Sequence, residues 1–154
     1  MWSSRTASEV IAYVDTSALV KLFVTEEGSD ATRARLSTAS VLGTSLVARP
    51  ELGAALARGV RCGLLTKAEA AEARSCLEAV WPTWVHLTLN ESLVARAEEL
   101  AWEYQLRGYD AVHLASALTW QDHLSSQVAM VTFDRELWQA AAAAGAAAWP
   151  DQVP

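Results

Sequence analysis

The sequence predicts an α/β fold built on one parallel sheet covered on both faces by helices. Short β-branched runs alternate with helical stretches, no Pro/Ser-rich linker separates them, and 52% of the 154 residues are hydrophobic. That apolar content is enough for one buried core without disulfides or a structural metal. In such sheets the ligand crevice lies beyond the carboxyl ends of the strands, where strand order reverses. Residues directly after each strand are therefore the ones expected to carry chemistry.

Val10 to Val14 is a β-branched and aromatic run that ends on Asp15, with Thr16 and Ser17 opening a helix through Phe23. A polar loop leads to a second helix from Ser29 to Leu36, and Val41 to Ser45 is a short buried strand. Pro50 sits where a first helical turn tolerates it, and Leu52, Ala55, Leu56 and Val60 recur at helical spacing until Gly63. Thr66 with Glu69 is a capping box for a helix toward Val80, which Pro82 closes. Trp84 to Leu89 alternates as a strand does. Asn90 caps a helix with Leu93, Val94, Ala97, Leu100, Ala101 and Tyr104 on one face, expected to end at Gly108. The next helix opens at Asp110 and packs Val112, Leu114, Ala115 and Leu118 inward. Val128 to Thr132 is a strand, Asp134 opens a helix through Ala143, and Ala146 to Trp149 adds a last short strand.

Composition excludes several classes. The apolar content is too high and too evenly spread for disorder, and no run of about 18 strongly apolar residues occurs, which argues against a membrane span. Met1 to Glu9 lacks the apolar region and cleavage site of a secretory signal, so a cytoplasmic protein is expected. Cys62 and Cys76 form no C-x-x-C pair and have no His at metal-ligand spacing; reduced, buried thiols are expected. With 12 basic and 18 acidic residues and a formal charge of −6, the chain does not bind nucleic acid through bulk positive charge. Acids that hold metal ions reverse the sign of the local field, so their location matters more than their number.

Four carboxylates fall at one edge of the expected sheet: Asp15 after the first strand, Glu51 in the first turn after the second, Asp110 opening the helix before the fourth, and Asp134 after the fourth. Each alone is explained as a helix cap or first-turn acid, Asp110 before Ala-Val-His-Leu most plainly. Capping gives no reason for all four to converge, and convergence costs free energy because like charges raise one another's pKa. A divalent cation removes that cost. Carboxylate oxygens suit Mg²⁺ or Mn²⁺, which activate water and offset the charge of a phosphate under attack, so the pattern points to phosphodiester hydrolysis.

The stretches Tyr13-Val-Asp-Thr-Ser-Ala-Leu-Val-Lys-Leu-Phe, Glu51-Leu-Gly-Ala-Ala-Leu, Tyr109-Asp-Ala-Val-His-Leu-Ala-Ser-Ala-Leu and Val131-Thr-Phe-Asp-Arg-Glu-Leu resemble PIN-domain proteins. They are most similar to the VapC toxins of bacterial toxin–antitoxin pairs, in the right order from Val10 to Trp149. The resemblance implies a PIN-like three-layer α/β/α sandwich with a central, mostly parallel sheet of four to five strands, and residues 1–154 as a single PIN-like domain. It implies an endoribonuclease dependent on Mg²⁺ or Mn²⁺, cytoplasmic and homodimeric, acting on RNA and held inactive by a cognate antitoxin that is a small DNA-binding protein. Asp15, Glu51, Asp110 and Asp134 take the family's four acidic positions: Asp15 and Asp110 as direct ligands, Asp134 as a ligand directly or through water, and Glu51 holding a second metal or orienting the attacking water. Thr16, Ser17 and Thr132 are candidate supporting hydroxyls, with ordinary cap or turn roles as the alternative. The Arg-Pro pair before Glu51 departs from the family pattern but leaves the acid in place.

His113 is expected to face the core and His86 and His123 to have no role. The seven tryptophans are expected mostly in the core or at a partner interface, and Arg33, Arg35, Arg49, Arg58, Arg61 and Arg107 on solvated helix faces or against phosphates. An antitoxin helix is expected to lie over the early helices; Leu22, Phe23 and Leu52 are candidate groove residues, with a place in the core as the favoured alternative for each. A haloacid-dehalogenase-type phosphatase is disfavoured because Ser17 stands where that chemistry places a second Asp, and neither Gly-rich phosphate-binding motif occurs. The non-enzymatic alternative is a PIN-like module that sequesters a protein or RNA.

Overall fold

The computed structural model describes residues 9–154; the reading of Met1 to Ser8, and Trp2 with it, lies outside the described residues. Five parallel strands form the sheet in the order β3-β2-β1-β4-β5: β1 Ile11–Val14, β2 Val41–Ser45, β3 Val85–Leu87, β4 Val128–Val131 and β5 Ala147–Trp149. The chain builds outward from β1 to β3 and then crosses back to lay β4 on the other side of β1. Strand order therefore reverses between β1 and β4, and the crevice there opens at their carboxyl ends.

Strand alternation assigns the two faces. Ile11, Tyr13, Val128 and Met130 point into one core with Leu93, Leu100, Leu114, Leu118 and Leu137, whereas Ala12, Val14, Ala129 and Val131 point into the other with Leu19, Leu52, Leu56 and Leu77. The first core is covered by α5 Glu91–Tyr104, α6 Gly108–Leu124 and α7 Arg135–Ala143, and the second by α1 Thr16–Phe23, α3 Ala48–Arg61 and α4 Lys67–Val80, with α2 Ser29–Ser37 beside α1. The helix α6 is buried on nearly every side from Ala111 to Leu118, since it lies between the sheet and α5. At Gly43 of β2 a side chain has no room: a Cβ there would stand 2.6 Å from the Trp120 ring of α6.

Local signals hold at most element ends. Asp15, Asn90 and Asp134 each accept an N-cap hydrogen bond, and Thr66 and Glu69 form the complete capping box. Three expectations are corrected. The helix α5 ends at Gln105, whose left-handed φ of 54° makes it the C-cap, rather than at Gly108. Asp110 does not open α6, because Arg107 is the N-cap position and Asp110 stands in the first turn. Cys62 and Cys76 are free but exposed, on the outer sides of the second-core helices. Leu52, fully buried in that core, forms part of the floor of a groove between α3 and α4. Of the tryptophans, Trp84 and Trp120 are core residues while Trp102 is 89% exposed. Among the described residues no helix is long and apolar enough to cross a membrane.

Candidate functional site

Asp15 leaves β1 directly into the crevice and is buried, with 3% exposure. Its Oδ1 accepts from the Ser17 hydroxyl at 2.7 Å and the Ala18 N–H at 2.9 Å, and its Oδ2 accepts from the Thr132 hydroxyl at 2.6 Å. Burial raises its pKa; His113, when protonated, and these hydrogen bonds oppose the rise without cancelling it. Ser17 Oγ also accepts the Phe133 N–H, and Thr132 Oγ1 the Asp134 N–H, so the β1 and β4 ends are sewn together around this carboxylate. Two of the three candidate hydroxyls thus sit on Asp15.

The third, Thr16, donates to Glu51 Oε1 at 2.8 Å. The same oxygen lies 2.6 Å from His113 Nε2, and His113 Nδ1 lies 2.7 Å from the Tyr13 hydroxyl. Partial burial raises the Glu51 carboxyl, but the hydrogen bond from His113, its charge when protonated, and the Thr16 hydroxyl outweigh this and hold the group below its ordinary value. His113 is buried as expected, yet it is not a bystander in the core. Its helix position, three residues after Asp110, places both on the inner side of the first turns of α6. That spacing was the one signal in the sequence, and only the fold shows that Glu51 lies opposite.

Asp110 makes no side-chain hydrogen bond or ion pair among the described residues. Its pKa is raised to about 6, first by burial and then by Asp134, with Asp15 adding to the rise and His113 and Arg107 opposing it. Asp134 spends Oδ1 on the Leu137 N–H as cap of α7. Glu51, Asp110 and Asp134 line one open cleft of about 670 Å³, walled by Val94, Ala97 and Ala101 of α5 and rimmed by Arg107 and Tyr109. The four sequence-derived acids thus meet at one edge of the sheet, three on the cleft and Asp15 buried beside it.

Hard oxygen donors in this number suit Mg²⁺ or Mn²⁺. The unpaired Asp110 carboxyl, raised by burial and by neighbouring acids, is where added positive charge is most favourable. The donors are not closed into a cage: among the described residues no three Asp, Glu, His or Cys side chains stand close enough to hold an ion ready-made. The donor set fits a divalent ion that keeps several of its waters.

A PIN-domain family model matches residues 12–143. The chain belongs to the PIN-domain family. Among PIN proteins it is of the VapC type: it is 38% identical over 143 residues to Ribonuclease VapC45 and to Ribonuclease VapC49, both of Mycobacterium tuberculosis, covering 93% of this chain and 97% of each relative. Solved structures share the PIN fold at lower identity. Mycobacterium tuberculosis VapC20, described as a Sarcin-Ricin loop cleaving toxin, superposes with a TM-score of 0.61 at 22% identity, over 87% of this chain and 95% of that one. A toxin–antitoxin complex from Klebsiella pneumoniae superposes at 0.56 and 17% identity, over 80% and 86%. In this PIN domain the switch point between β1 and β4 and the acidic cleft coincide.

Proposed function

We propose that this PIN domain is an endoribonuclease and the toxin of a toxin–antitoxin pair, hydrolysing RNA phosphodiester bonds with Mg²⁺ or Mn²⁺. The observation that carries the proposal is the meeting of Asp15, Glu51, Asp110 and Asp134 at the switch point, with an unpaired carboxyl at Asp110. The 38%-identical relatives named as ribonucleases support the same reading. Asp15 and Asp110 hold the ion, with Asp134 adding an oxygen directly or through water. When bound, the ion lowers the pKa of a water and offsets charge on the phosphate. Ser17, Thr132 and the Ala18 N–H fix the rotamer of Asp15, so that it meets the ion without losing side-chain freedom. Glu51 orients the attacking water or serves a second ion, and Arg107 on the rim faces the phosphate backbone.

A cognate antitoxin, a cytoplasmic location and a homodimer belong to the same proposal. The toxin–antitoxin complex among the structural neighbours supports the first. Leu22 and Phe23, only partly buried on α1, remain candidates for its footing. The test is cleavage of total RNA by purified, antitoxin-free protein. Activity with Mg²⁺ or Mn²⁺ is expected, abolished by EDTA and by Asp110→Asn. If wild type and variant cleave alike, the chemistry lies elsewhere; if neither cleaves and Mn²⁺ fails to bind, the chain is a binding module.

A further inference from the structure

We propose that His113 is a positioning residue for Glu51 and that Tyr13 sets its ring tautomer. The inference rests on the ribonuclease reading. Tyr13 is fully buried in β1, and its phenol, ordinarily near 10, keeps its proton at neutral pH. That proton needs an acceptor. Ser116 of α6 and the Ser45 backbone also face the phenol, but Ser116 Oγ is out of hydrogen-bond geometry, and the side-chain acceptor in reach is His113 Nδ1, 2.7 Å from the phenol oxygen. Donation to Nδ1 leaves the proton of a neutral imidazole on Nε2, which faces Glu51 Oε1 at 2.6 Å.

Oε1 then receives two donors, the His113 Nε2–H and the Thr16 O–H, the latter at 2.8 Å. Oε2 accepts no hydrogen bond among the described residues and belongs to a side chain that lines the cleft with Asp110 and Asp134. One oxygen is anchored and the other is left for water or ion. A long carboxylate side chain otherwise samples several rotamers, and holding one oxygen removes that freedom before substrate arrives. Packing alone does not explain the histidine. Its neighbours on α6 are apolar from Ala111 to Ala115 apart from itself, and a buried imidazole is tolerated there because both ring nitrogens are paired. The β1 strand thus supplies Asp15 to the site and, two residues earlier, the support for Glu51.

The test compares His113→Leu, His113→Gln and Tyr13→Phe with wild type, with ring ¹⁵N NMR of the metal-free protein beside RNA cleavage. Wild type is expected to show Nε2 protonated and Nδ1 bare, a preference that Tyr13→Phe relaxes. His113→Leu is expected to lower kcat by about 10–100-fold with KM for RNA unchanged, the cost typical of removing a partner that orients a ligand residue. His113→Gln, whose amide offers a donor in the place of Nε2, is expected to recover most of that loss. Equal losses in the Leu and Gln variants, or a cationic or Nδ1–H ring in wild type, overturn the inference. Should His113→Leu fail to fold, His113→Gln with the isosteric Tyr13→Phe and the ring spectrum still decide it. An inactive wild type overturns the ribonuclease reading itself, and that failure is visible before any variant is compared.

Discussion

Asp110 stands in the first turn of α6 with its carboxyl raised to about 6, chiefly by burial and by Asp134. An unfolded chain holds the same group at 3.8, so between pH 3.8 and about 6 the folded state binds more protons than the unfolded one. Stability from this group is therefore lost as pH rises through that window. Solvent in the open cleft screens part of the interaction. Asp110→Asn is expected to raise Tm of the metal-free protein at pH about 8 by about 2–4 °C, the shift that about 1 kcal/mol produces in a chain of this size. The gain should vanish toward pH about 4, where wild type carries the proton as well; thermal melts in EDTA at both pH values check this, and an equal gain at both would sink the explanation. The same substitution is expected to remove cleavage, so stability and activity should move in opposite directions at one side chain. All four acids were legible in the sequence because each follows a strand or stands in the first turn of a helix. The link from Tyr13 through His113 to Glu51 was not, because its members are 100 and 62 residues apart and only packing brings them into contact.

The elements obey mostly local rules. The capping box at Thr66, the caps at Asp15, Asn90 and Asp134, and the alternation in β1 and β4 are written in adjacent residues. Where the expectation failed, backbone closure together with core packing decided. The C-terminus of α5 falls at Gln105 because the Leu106 N–H returns to the Ala101 carbonyl and closes the helix there, with Leu106 buried in the first core. The helix α6 then starts at Gly108, which moves Asp110 into its first turn and frees the side chain that a cap would have used. Close packing between α6 and β2 is concentrated at Gly43 against Trp120. Gly43→Ala is expected to cost about 1–3 kcal/mol, the range for overpacking a filled core, because the new Cβ meets the indole at 2.6 Å. Urea unfolding checks it. A companion Trp120→Phe change should return part of the loss by giving the methyl room, and no such recovery would mean the cost lies in the backbone.

For the molecule as a whole, the fold holds Asp110 against the repulsion of Asp134 and Asp15, so a divalent ion that binds only the folded state should stabilise it. At free Mn²⁺ about 100 times its Kd the expected gain is about 2.7 kcal/mol. It should be absent in Asp15→Asn and Asp110→Asn and intact in Trp102→Ala, which changes only the exposed face of α5. Thermal melts with and without Mn²⁺ check this; a gain surviving in both acid variants would place the ion elsewhere. The sequence alone determined the alternation of strands and helices, the position of each acid beside a strand end and the family resemblance, since these follow from neighbouring residues and their spacing. The tertiary structure alone decided that β4 returns to lie against β1, that Asp15 is buried under hydroxyls from both, and that His113 reaches Glu51. Those depend on which strands pair and which faces pack, and the free energy that selects them is spread over two cores whose residues lie far apart along the chain.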